Sequence, residues 1–172
     1  GYADMRITDI HSRVVEIIKA KYPRMGVISI DKMEDIDSQR PCFKVDVEPI
    51  FSQPVMANYD ENRVMILISY FPHKDYSRHS LRDKCENMYD ELSQIFALNF
   101  MIKPVGGSVT SLLVSNKDYS EDLEGEYMTF TFDTEYYNST PKGDPSLGLN
   151  TDPDITYTDD LDLMRILELE KE

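Results

Sequence analysis

The sequence predicts an α+β fold: a mainly antiparallel sheet packed against two helices, with an extended acidic C-terminal arm. Three observations carry this. Two segments, 7–21 and about 78–97, repeat apolar residues at three- and four-residue steps, the helical period. Shorter runs alternate apolar and polar residues, the period of a half-exposed strand. Beyond residue 137 the chain turns to Pro, Gly, Asn, Asp, Ser and Thr, a composition that buries too little surface to offset its own ordering.

The first helix spans 7–21, with Ile7, Ile10, Val14, Ile17 and Ile18 on one face. Thr8 or Asp4 is expected to cap it, and Tyr22-Pro23 ends it, because proline disfavours helix in the residue before it. Val27–Ile30 reads as a short strand and Lys32–Arg40 as a polar loop or edge. In the run 42–48, Phe43, Val45 and Val47 point one way and Lys44, Asp46 and Glu48 the other. Pro49, Pro54 and the polar run 57–62 read as the turn, and Arg63–Phe71 as the return strand.

The second helix carries Leu81, Cys85, Met88, Leu92, Ile95 and Phe96, with Tyr89, on one stripe, and Ser80 followed by Asp83 resembles a capping box. Met101–Val105 and Ser108–Ser115 flank Gly106-Gly107 as a hairpin. Residues 116–125 read as a polar loop. Glu126–Tyr137 is the last long strand, with Met128, Phe130 and Phe132 on one face and Tyr127, Thr129, Thr131 and Asp133 on the other. This divides the chain into a domain at 1–137 and an acidic arm at 138–172. The arm ends in an apolar segment, Leu161, Leu163, Met164, Ile166, Leu167 and Leu169, suited to docking on its own subunit or a neighbour.

At 172 residues the chain is long enough to bury a core. Its longest apolar run, Val64–Ile68, is strand length, so no membrane span is expected. No secretory leader is legible, and Met5 reads as a natural start. Cys42 and Cys85 stand far apart on apolar-leaning positions, which favours buried free thiols and a reducing cytoplasm. The net charge of −14 argues against a protein that grips nucleic acid, because phosphate affinity needs clustered Lys and Arg. It suits a protein that DNA passes through without sticking. Residues 144–172 hold nine acids against Arg165 and Lys171, half of that net charge.

Chemistry has no clear owner. Asp46 and Glu48 share a strand face and could hold a metal in a nuclease or phosphoesterase, yet the Lys such a site wants after the second acid is replaced by Ile50. A solvated strand face is the plainer reading. Asn150, Asp152 and Asp154 have the spacing of a calcium loop, but Ile155 and Leu161 stand where it needs Gly and Glu. His73 and His79 flank the strand-to-helix connection with Asp75 between them, and with His11 they read as surface histidines. Gly106-Gly107-Ser108 lacks the Lys and the helix of a phosphate loop. No cofactor is expected. A third class, an acidic DNA mimic, is allowed by the charge, although half of it sits on the arm.

The order helix, strand, Pro-Cys-Phe-Lys-Val-Asp-Val strand, strand ending Ile-Ser-Tyr-Phe-Pro, long helix, hairpin, aromatic strand and Met164-Arg165-Ile166-Leu167-Glu168-Leu169 resembles the tail terminator family of phages and prophages of Gram-positive bacteria. The opening Met5-Arg6-Ile7-Thr8-Asp9-Ile10-His11 is similar as well. The resemblance covers most of residues 5–137 and the last ten, and its most specific parts are the Tyr70-Phe71-Pro72 ending and the Met-x-x-Leu-Glu-Leu close. The segment 138–160 departs from it, being longer and more acidic.

The resemblance implies a structural, non-enzymatic subunit assembled in the host cytoplasm. It would form a hexameric ring that caps the tail tube of a phage or a contractile, bacteriocin-like particle. Its partners would be itself, the tube protein, sheath and head-connector or collar proteins, with DNA only as passing cargo and no membrane. Tyr70, Phe71, Leu163, Met164, Ile166, Leu167 and Leu169 are the expected subunit or tube contacts.

Overall fold

The computed structural model describes residues 4–29, 35–56, 58–74, 77–141 and 143–148. The chain runs through α1 (Ile7–Lys21), β1 (Gly26–Ile28), α2 (Ile36–Gln39), β2 (Cys42–Met56), β3 (Tyr59–Phe71) and α3 (Arg78–Ile95). It continues through β4 (Asn99–Ile102), β5 (Thr110–Leu113), β6 (Ser115–Asp122) and β7 (Tyr127–Ser139) to a 3-10 turn at Pro145–Leu147. Five strands form one mixed sheet in the order β1-β2-β3-β7-β6, parallel between β1 and β2 and antiparallel elsewhere. The strands β4 and β5 form a separate antiparallel pair.

α1 and α3 cover one face of the large sheet. Ile10, Val14 and Ile18 of α1 and Leu81, Cys85, Met88 and Leu92 of α3 meet Phe43, Val45, Ile66, Ile68, Phe130 and Phe132 in one core. Each such side chain contributes about 1.5–3 kcal/mol by leaving water. A cluster of Phe96, Phe100, Phe130 and Phe132 closes the core beneath the end of α3, with the Phe96 and Phe132 centroids 5.0 Å apart. On the opposite face a smaller core joins Ile28, Cys42 and Phe71 with Ile36 and Tyr127. There the rings of Phe71 and Tyr127 stack at 5.0 Å.

α1 keeps its predicted span, but the cap differs. Arg6 is the N-cap residue, and its N–H donates to Asp9 Oδ2 at 2.9 Å, the reciprocal half of a capping box. α3 is capped by Ser77, whose Oγ accepts from the Ser80 N–H at 3.4 Å, one turn earlier than the Ser80–Asp83 pair suggested. The segment read as a polar loop before Cys42 contains the single-turn α2, so helices number three rather than two among the described residues.

Two further expectations give way. Pro49 and Pro54 do not end β2, which runs on to Met56 and pairs with a β3 that begins at Tyr59. Proline is tolerated on edge strands and at bulges. β1 covers only Cys42–Lys44, so the rest of β2 lies on the sheet edge, and the register shifts at Pro49/Phe51 and Pro54/Met56 absorb both rings. The supposed polar loop 116–125 holds β6, paired with β7 through Asp118–Asp122. As an edge strand with one face toward water it needs little apolar content, and Tyr119 supplies its packing on Tyr89.

Candidate assembly surface

The end of the sheet near α2 is held by Arg40. Its side chain is 5% exposed and donates from Nη1 to the Pro72 carbonyl at 3.1 Å and the Glu126 carbonyl at 2.6 Å. Its Nη2 donates to the Gly125 carbonyl at 2.8 Å and its Nε to Asp37 at 3.0 Å. Asp37 also pairs with Lys74 at 3.0 Å, and that hydrogen bond first, then Arg40, holds its carboxyl below the usual range. One guanidinium thus ties α2, the exit of β3 and the β6–β7 turn together. The turn itself requires Gly125: a Cβ there would lie 2.8 Å from the Tyr127 ring and 3.1 Å from an Asp122 oxygen.

Tyr70 and Phe71 therefore serve the subunit interior. Tyr70 packs on Phe43 at 5.2 Å in the main core and Phe71 lies in the smaller one, and both are buried. Leu163, Met164, Ile166, Leu167 and Leu169 lie outside the described residues, as do Asn150, Asp152, Asp154 and Asp75. Asp46 pairs with Lys44 at 3.2 Å and Glu48 is on the same sheet face. Among the described residues no three His, Cys, Asp or Glu side chains are grouped to hold a metal ion. His11 Nε2 is hydrogen-bonded with the Val45 carbonyl at 2.9 Å, and His79 faces Asp83 at 3.6 Å on the surface of α3.

What projects is the far half of the sheet. Beyond the bulge at Pro49/Phe51, β2 and β3 extend with β7 as a three-stranded tongue, and Ile50, Phe51, Val55, Tyr59 and Tyr137 remain exposed on it. Phe51, Arg63 and Glu135 sit opposite one another across the three strands. Arg63 lies over the Phe51 ring, 5.5 Å from its centroid, and pairs with Glu135. The sequence held a signal for this surface: Ile50, Phe51, Val55 and Tyr59 are too apolar for a solvated turn. Pro49 and Pro54 hid it by mimicking a turn.

Two strand edges run free beside this tongue. β6 pairs with β7 only as far as Asp133, and β5 pairs with β4 on one side only. Between them lies a groove of about 710 Å³, lined among others by Leu112, Leu113 and Val109 on the hairpin side and Glu135, Tyr136 and Tyr137 on β7. Met5 also lines it, and its N–H donates to Asn138 Oδ1 at 2.9 Å while its carbonyl accepts from Asn138 Nδ2 at 2.8 Å. Exposed backbone edges with apolar flanks are suited to main-chain pairing with another segment. The hairpin turn adds Val105, also exposed, above Gly106 at φ +76°. Among the described residues no helix is long and apolar enough to cross a membrane.

Comparison with known protein families finds that a family described as phage tail terminator protein matches residues 9–146. No curated protein matches the chain.

Proposed function

The chain belongs to the phage tail terminator family, and from that premise we propose that it closes a phage tail tube as a ring of identical subunits, most simply a hexamer. Ring closure ends tube polymerisation and offers the opposite surface to a head connector or collar. The observation that supports this reading is the apolar tongue with free strand edges at one end of the subunit. Long edges on a sheet are ordinarily blunted by charge or covered. Here they lie beside uncovered Ile50, Val55, Tyr137 and Leu113, the signature of a surface completed by association. Rings require heterologous contacts in which one patch meets a different patch on the next copy, and the outer part of β2 with Ile50 and Val55 and the groove beside β7 are two such patches. The net charge of −14 keeps the DNA path free of adhesion.

Sedimentation velocity and negative-stain microscopy of the full chain test the ring. A closed particle of about six subunit masses is expected, and added tube protein should form tubes of limited length. A strictly monomeric chain at high concentration, with unlimited tube growth in its presence, overturns the reading.

A further inference from the structure

We propose that the groove between β5 and β7 receives residues Leu161–Leu169 of the adjacent copy, so that the acidic arm clasps the neighbouring subunit. This rests on the ring reading above. The groove is lined by β5 and by the part of β7 that β6 does not pair, with Leu113 and Tyr137 exposed beside it. The occupant is indicated by the place where β7 ends and by the sequence C-terminal to it. β7 leaves the sheet at Ser139, and the Thr140 N–H donates to the Asn58 carbonyl at the tip of the tongue. Beyond Gly148 the sequence is Asp- and Thr-rich as far as Asp160, then six of the nine residues from 161 to 169 are apolar.

The spacer decides in favour of the neighbour. Tyr137, which lines the groove, precedes Thr140 by only three residues, so a return to the same groove needs a short turn. The chain instead inserts 20 residues between Thr140 and Leu161. Past the 3-10 turn at Pro145–Leu147, the part from 149 to 160 has a maximum reach of about 40 Å, the scale of a neighbouring subunit.

The test uses the full chain carrying either Leu113→Cys or Leu167→Cys, mixed in equal amounts and treated with a short bismaleimide cross-linker. Leu113 is exposed and accepts the change, and sedimentation of each variant alone checks that the ring still forms. Cys42 and Cys85 are buried and take no part. A covalent dimer in the mixture, absent from each variant alone and lost when Leu163→Asp is added to the Leu167→Cys chain, is the expected result. Dimer absent from the mixture while sedimentation still shows the ring overturns the clasp and leaves the ring intact. A doubly substituted chain that cross-links only within itself overturns docking on the neighbour. Monomers at every concentration remove the ring reading and the clasp together.

Discussion

The guanidinium carbon of Arg40 lies 5.6 Å from the ring centroid of Phe71, on the face of the sheet opposite the two long helices. Arg40 also satisfies three main-chain carbonyls from two separate loops. Replacing it with alanine leaves those acceptors without their donor and removes the cover from Phe71. A loss of about 2–4 kcal/mol is expected in urea unfolding. Arg40→Lys should recover only part of it, because an ammonium cannot reproduce the planar fork that reaches Pro72, Gly125 and Glu126 together. Gly125→Ala should weaken the same anchor by pushing against Tyr127.

Phe132 and Phe51 provide a contrast in burial. Phe132 is fully buried against Phe96 and Phe100, and its truncation to alanine should cost about 3–5 kcal/mol. Phe51 is on the surface against Arg63, so Phe51→Ala should stay within about 1 kcal/mol. Thermal unfolding of the two variants side by side decides whether the aromatic cluster carries the core.

The elements that bury a continuous apolar stripe were legible in the sequence. α1, α3 and β7 each face the core with residues in strict register, and nothing local competes with that pattern. The elements that failed to show are those whose stability is tertiary. β6 has one aromatic residue and several charges, and exists because β7 offers it an edge. The far half of β2 contains two prolines that a central strand would reject, and it is accepted because β1 stops at Ile28, opposite Lys44. The role of Arg40 could not be read locally either, since its carbonyl partners lie 32 to 86 residues away. The candidate surface divides in the same way. Its apolar residues were present in the sequence, but their exposure is a property of the assembled tongue.

Burial pushes the Cys85 thiol up to about 11, and burial likewise raises Cys42, Tyr70 and Tyr136. These groups are held neutral in the folded chain. The stability they contribute is complete below their unfolded values and is lost as pH rises toward their folded ones. For Cys85 that window opens at the ordinary thiol value of 9.0 and closes near 11. Unfolding free energy should therefore decline above pH 9, and Cys85→Ala should make that decline shallower whatever its effect at neutral pH. Neither thiol should react with iodoacetamide in the folded protein at pH 8, and both should react in urea. Rapid labelling of Cys85 in the native state would contradict its placement on the buried face of α3.

Ile50 and Val55 stand out from the tongue, and their exposure has no use within the subunit. Each lies past the region of β2 that β1 covers, on a strand whose outer edge is open. A lysine at either position finds water in the lone subunit, so Ile50→Lys and Val55→Lys should leave circular dichroism and melting temperature of the dissociated chain nearly unchanged, within about 0.5 kcal/mol. In an assembly the same charge enters an apolar contact and must be desolvated without a partner, a cost of several kcal/mol per site repeated around the ring. The expected outcome is a folded subunit that no longer sediments as a closed particle. Charge on Lys74, beside Asp37 at the other end of the sheet, is the control: Lys74→Glu should disturb the ion pair with Asp37 while assembly persists. Rings that survive both tongue substitutions would mean that copies meet elsewhere on the subunit.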